Sequence, residues 1–151
     1  MMMGSYNHTV DAKARLMLPA PWREEMGRIV YITLGMTDIR DGRCLTVMAV
    51  DKIDAYVEMF DKIPITDVHG NNMKRAILGN TFRIEVDNQG RILVPQMLRM
   101  IAAIGDNVML VGMKDRIEIW DAATWEAKTN AYLNDPDVWL NGIAAISGDK
   151  R

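Results

Sequence analysis

The chain carries one cysteine and two histidines in 151 residues. A lone cysteine permits no internal disulfide, and Cys44 lies beside Leu45 in an apolar run, the setting of a buried small hydrophobe rather than a reactive thiol. His8 and His69 stand apart, and no pair of cysteines or histidines has metal-ligand spacing, so neither a metal nor another cofactor is expected. P-loop, dinucleotide-binding and nucleophile-elbow sequences are missing too, and with no catalytic constellation the chain is not expected to be an enzyme. No apolar run approaches the ~20 residues of a membrane span, so no membrane partner is expected. The opening Met1 to His8 lacks the basic region and apolar core of a secretion signal, and the expected location is the cytoplasm. Positive charge is not in excess either. With a net charge of −2 the chain does not bind polyanions through bulk charge, and any nucleic-acid surface must be local.

What remains is ordinary globular material, 49% hydrophobic and 25% charged, long enough for one compact domain or two small ones sharing a core. Its organising feature is a repeat. Val10-Asp11-Ala12-Lys13-Ala14-Arg15-Leu16-Met17-Leu18-Pro19 returns as Val86-Asp87-Asn88-Gln89-Gly90-Arg91-Ile92-Leu93-Val94-Pro95, with Asp11, Arg15, Pro19 and Arg23 each matched 76 residues on by Asp87, Arg91, Pro95 and Arg99. Chance identity at one position is about one in twenty, so four in register mark two copies of one unit.

Each copy reads alike. Tyr6, His8 and Val10, and Phe82, Ile84 and Val86, alternate with polar or charged neighbours as strands with one buried face do. After the turn, Leu16-Met17-Leu18 and Ile92-Leu93-Val94 are so uniformly apolar that barrel or sandwich strands covered on both sides are expected, ended by Pro19 and Pro95. Short helices follow over 20–26 and 96–104, with Gly27 and Gly105 where a left-handed residue commonly ends a helix. Arg23 and Arg99, one turn after the prolines, are expected to brace the barrel by hydrogen bonds. Strand pairs 30–34 with 43–48 and 107–111 with 116–120 come next, joined by turns at Asp41-Gly42 and Lys114-Asp115. A helix closes each unit: 52–60 capped by Asp51, and 122–133 after Asp121, anchored by Trp125 and Leu133. The expected divisions are a first repeat over 5–61, a helical linker over 62–80, a second repeat over 81–133 and a tail over 134–151. In the linker Met73 to Leu78 reads as helix while Asn71-Asn72 weakens any helix before it, and the tail has apolar residues but no assured structure.

The D-x-x-x-R turn has two readings. An aspartate accepting backbone N–H groups and pairing with an arginine on the next strand fixes a hairpin, although an exposed pair of that kind contributes only ~0–1 kcal/mol. Alternatively, the carboxylate holds a guanidinium in a set rotamer at the surface, where its planar fork engages phosphate or the O6/N7 edge of guanine. The residues alone leave both open. Acidic residues gather in the middle (Asp51, Asp54, Glu58, Asp61, Asp67) and the tail (Asp135, Asp137, Asp149), leaving the turns comparatively basic.

These turns, the opening Met3 to Leu16, Leu78-Gly79-Asn80, the block Val108-Met109-Leu110-Val111-Gly112 and Ile117-Glu118-Ile119-Trp120-Asp121 resemble the MraZ family of bacterial transcriptional regulators, double-repeat members of the AbrB-like (SpoVT-AbrB) superfamily. The resemblance covers roughly residues 1 to 128. It implies an α+β, mainly β fold in which two AbrB-like repeats form an interlaced swapped-hairpin β-barrel with peripheral helices. It further implies ring homo-oligomers, in the octamer to dodecamer range, that bind short tandem DNA repeats upstream of their own division and cell-wall operon, on the nucleoid. Carried onto this chain, it places Lys13, Arg15, Gln89 and Arg91 on double-stranded DNA, with Asp11 and Asp87 positioning the arginines and Ala14, Gly90, Pro19, Pro95, Arg23 and Arg99 as structural positions. The family turn is usually D-x-x-G-R, and here the first copy has Ala14. If that position needs a positive φ, alanine costs ~1 kcal/mol there, or else the turn takes another shape. Other readings of the same residues are an AbrB-type antitoxin or transition-state regulator, disfavoured by two repeats in one chain, and a structural oligomerisation module that binds no DNA.

Overall fold

A computed structural model describes residues 1–148. The strands are β1 (Ser5–Thr9), β2 (Arg15–Met17), β3 (Ile29–Leu34), β4 (Cys44–Ala49), β5 (Phe82–Glu85), β6 (Arg91–Leu93), β7 (Asn107–Gly112) and β8 (Ile117–Asp121). The helices are α1 (Ala20–Met26), α2 (Val50–Glu58), α3 (Val68–Leu78), α4 (Gln96–Ile101), α5 (Ala122–Asn134) and α6 (Pro136–Ser147). Six strands form an antiparallel sheet in the order β1-β7-β8-β4-β3-β5, and β2 pairs with β6 as a separate ribbon. The order reads the same from both ends when each strand is replaced by its copy. Edge strand β1 pairs with β7 of the other half, and edge strand β5 pairs with β3 of the first half.

The pairing register decides which side chains turn inward, because cross-strand partners share a face. Leu45 faces Ile119 and Val47 faces Ile117, with Val30 and Ile32 beyond them and Val108 and Leu110 on the other flank. All eight are buried, and they meet Leu16, Leu18, Ile92, Val94, Trp22, Met26 and Leu98 from the ribbon and from α1 and α4. The core therefore lies between sheet and ribbon. The opposite face of the sheet is also covered in part, by Cys44, Val111 and Trp120 with Met109 and Trp125 packed on them. This is why β4 is buried at every residue and is apolar throughout except at Thr46. Cys44 is buried as expected, and desolvation, followed by the charge of Glu118, raises its thiol pKa well above the ordinary value.

Several expectations need correction. The fold is α+β with a mostly antiparallel sheet, but helix (44%) exceeds strand (27%), so it is not mainly β. The excess comes from linker and tail. Helix α3 starts at Val68 rather than near Met73: Asp67 caps it by accepting from Gly70 N–H at 2.9 Å. Asn71 does not weaken this helix, because its amide donates to the carbonyls of Pro64, Ile65 and Asp67 at 2.7–3.2 Å. The tail forms α6, capped by Asp135 accepting from Asp137 and Val138; residues 149–151 of the expected tail, Asp149 among them, lie outside the described residues. Asp51 is not the cap of α2, which begins one residue earlier with Ala49 in the cap position. In α5, Trp125 anchors the helix but Leu133 is exposed. Helix α4 stops at Ile101, and Ala103, not Gly105, takes the positive φ after it. The Asp41-Gly42 connection is a short 3-10 turn, Ile39–Asp41. The ribbon is covered on one side only: Leu16 and Ile92 are fully buried, while Met17 is half-buried and Leu93 is 52% exposed. No helix of the described residues is long and apolar enough to cross a membrane.

Candidate nucleic-acid interface

Each turn is built by its aspartate. Asp11 Oδ1 accepts from the backbone N–H of Lys13 and of Arg15, both at 2.9 Å, and its Oδ2 accepts from Arg15 Nε at 2.9 Å. Asp87 repeats the set with Gln89 N–H, Arg91 N–H and Arg91 Nε at 2.9, 2.9 and 2.8 Å. Main-chain bonds repeat as well: Ala14 N–H donates to Asp11 C=O and Gly90 N–H to Asp87 C=O, both at 3.0 Å. Aspartate suits the place because one short carboxylate can satisfy two successive N–H groups and still present an oxygen to a guanidinium. The N–H bonds from Arg15 and Arg91 are the chief reason both carboxyls titrate below the usual aspartate range; partial desolvation opposes them, and the guanidiniums add to them. The first turn has not changed shape. Ala14 sits at φ +61° and Gly90 at φ +83°, so alanine bears the left-handed strain, ~1 kcal/mol.

The two turns are tied to each other. Leu18 N–H donates to Gly90 C=O at 2.9 Å and Val94 N–H to Ala14 C=O at 2.8 Å, two bonds that exchange under the 76-residue offset. In the ribbon Arg15 lies opposite Leu93 and Arg91 opposite Met17, while Leu16 opposite Ile92 fills the core. Arg15, Met17, Arg91 and Leu93 therefore share the outer face, and the arginines are diagonal neighbours with Cα atoms about 7–8 Å apart. Their side chains are 33% and 24% exposed. Only Nε of each is engaged by aspartate, and among the described residues neither arginine's terminal nitrogens donate a hydrogen bond. Lys13 and Gln89 are exposed in the turns between.

Behind the turns the symmetry breaks. Pro19 and Pro95 end the ribbon strands and occupy the cap positions of α1 and α4. Arg23 braces as expected, its Nε donating to Leu18 C=O at 2.9 Å. It packs so closely on the second turn that a Cβ on Gly90 would lie 2.5 Å from Arg23 Nε. At the matching place the first turn does have a Cβ, that of Ala14. Arg99 does not take the matching pose: its Nη2 donates to Asp106 at 3.0 Å, and its Nε is buried without a partner.

Sequence reasoning missed Arg28. Its carbonyl accepts from Val86 N–H at 2.8 Å, as that of Asp106 accepts from Val10 N–H at 2.8 Å, so Arg28 and Asp106 are counterparts. Arg28 is exposed, and its Nη2 donates to Asn88 Oδ1 at 3.2 Å, over the second turn. The register between copies grows from 76 to 78 past the short helices, and that shift hid the correspondence.

A family model described as "MraZ protein, putative antitoxin-like" matches residues 77–135. Proteins named "Transcriptional regulator MraZ" are similar over most of the chain. The one from Caldanaerobacter subterraneus subsp. tengcongensis is 36% identical over 144 residues, 95% of this chain and 94% of its own length. That from Finegoldia magna is 35% identical over 139 residues, covering 91% and 94%, and that from Clostridium tetani 32% over 134 residues, covering 89% and 91%.

Proposed function

The chain belongs to the MraZ family, and from that premise we propose that it is a sequence-specific DNA-binding transcriptional regulator whose reading groups are Arg15 and Arg91. The observation that carries this reading is the shared outer face of the ribbon, where each guanidinium is fixed through Nε and keeps its terminal nitrogens for a ligand. A brace alone needs no such face. Lys13 serves as a phosphate contact and Gln89 as a second polar group at the other turn. Residues 5–61 and 81–133 are the two AbrB-like repeats, joined by the linker 62–80 and followed by the tail 134–151, and their exchanged strands make a swapped-hairpin barrel. Rings of such protomers engage short tandem repeats upstream of the chain's own operon, on the nucleoid in the cytoplasm. Linking many modest sites raises overall affinity through effective concentration, and in this way a slightly acidic chain holds DNA.

Fluorescence anisotropy with the DNA immediately upstream of the coding sequence tests this. Arg15→Ala and Arg91→Ala are each expected to weaken binding by ~1–3 kcal/mol per engaged base contact. Asp11→Ala and Asp87→Ala remove negative charge beside the DNA yet are expected to weaken it too, because the arginine must then be ordered on binding. Unchanged binding for both arginine variants, in assemblies of unaltered mass, rejects the DNA face.

A further inference from the structure

We propose that Arg28 is a DNA-phosphate contact at the second turn, supplying the cation that Lys13 supplies at the first. The inference rests on the DNA-binding reading above and extends it to a residue outside the repeated motif. Both turns have one arginine clasped by an aspartate, but their remaining chemistry differs. The first has Lys13 at its tip, and the flanking residue is Asp106, already engaged by Arg99. The second has neutral Gln89 at the tip, and the flanking residue is Arg28. Arg28 makes no ion pair among the described residues. Its partner is the neutral amide oxygen of Asn88, which occupies one donor of the guanidinium and steers it over the turn without neutralising it. The first turn has Ala12 at the position of Asn88, with nothing to hold a side chain. Arg28, Asn88 and Arg23 line one cleft of about 360 Å³ against the second turn, with Glu24 and Asp87 as its carboxylates. Asp87 is occupied by Arg91 and the turn's N–H groups, which leaves Glu24 as the acidic group that opposes a phosphate there.

A phosphate contact and a base contact differ in their salt dependence. Each phosphate neutralised changes the slope of log K against log salt by about 0.9 for duplex DNA. Arg28→Ala is therefore expected to lower affinity on specific and unrelated duplexes by the same factor. It should also flatten the slope by about one unit for each phosphate no longer neutralised, as Lys13→Ala does. Gln89→Lys in the Arg28→Ala background should restore the slope by moving the first turn's design into the second, and Glu24→Gln alone should tighten binding to both duplexes. Arg75→Ala removes the same charge from α3. That helix covers the other face of the sheet, where Thr33 Oγ1 donates to Ile77 C=O, so its slope should stay at the wild-type value. Binding curves at several salt concentrations on intact assemblies separate the outcomes. If Arg15→Ala and Arg91→Ala weaken binding while Arg28→Ala leaves the slope unchanged, the assignment of Arg28 is overturned and the DNA reading stands. If the motif arginines have no effect either, both fail. A slope change equal to that of Arg75→Ala reduces Arg28 to bulk charge and also overturns the assignment.

Discussion

At the scale of single residues, the two turns form an internal control. Ala14 and Gly90 occupy one backbone conformation, but only Gly90 has a side chain, Arg23, packed where a methyl group would go. Ala14→Gly relieves left-handed strain of ~1 kcal/mol and gives back part of it as unfolded-chain entropy, so a gain of a few tenths of a kcal/mol is expected in urea unfolding. Gly90→Ala should cost ~1–2 kcal/mol, since it adds the same strain and displaces Arg23 from the Leu18 carbonyl. Equal and opposite effects would contradict that account. His8 offers a pH test. Partial burial, reinforced by the Arg23 charge, lowers its pKa below 6.5, so the unfolded chain takes up the proton first. Stability should then be complete above about pH 6.5 and fall as the pH drops through the lowered value. His8→Gln should flatten the melting temperature between pH 7 and pH 5. The depressed carboxyls of Asp11 and Asp87 act in a lower window: their contribution is present above the ordinary aspartate value of 3.8 and is lost as pH falls below it.

At the scale of elements, what was legible in the sequence followed from local rules. The alternation Tyr6, His8, Val10 and its copy do turn toward the core, because a strand's period is fixed by its backbone. The edge position of β1 and β5 nevertheless leaves Tyr6 36% and Phe82 38% exposed, a consequence of sheet order that no local pattern encodes. The ribbon misled for the same reason. Leu93 is apolar yet outward-facing, since being covered is a property of the neighbours rather than of the residue. In α3, Asn71 reads as a helix weakener, but its amide meets the Asp67 carbonyl one turn back and those of Pro64 and Ile65, which the fold of the linker brings within reach. The aspartate–arginine pairs of the two turns were legible because they repeat in register. The place of Arg28 over the second turn was not, because its partner is an amide 60 residues away. Asp67→Ala removes the cap of α3 and is expected to cost ~1 kcal/mol, read from the urea midpoint with an unchanged slope. Leu16→Ala and Ile92→Ala, where the ribbon meets the core, should cost ~2–5 kcal/mol each.

At the scale of the molecule, the last two helices carry a dense run of exposed apolar side chains. Tyr132 and Leu133 on α5 and Trp139, Leu140, Ile143 and Ile146 on α6 are between 47% and 86% exposed, and neither helix has a fully buried residue. The two helices touch each other, but α6 makes no other substantial contact with the described chain. A helix with this much free apolar surface is stable only when something covers it, since in water the isolated helix is marginal at this length. A second copy of the chain is the expected covering, because the ring proposed above would bury an equivalent surface on every protomer. Multi-angle light scattering is expected to give a closed assembly whose mass is a whole multiple of 17.1 kDa. Trp139→Glu combined with Ile143→Glu places charges in that interface and should lower the mass toward the single chain while leaving β-sheet circular dichroism unchanged. A wild-type mass of one chain at micromolar concentration, or a double variant that assembles as before, removes α6 from the interface. DNA affinity should fall with the assembly even though Arg15, Arg91 and Arg28 are untouched, because the ring no longer multiplies the sites. Unaltered affinity for a dispersed protomer would show that one pair of turns suffices.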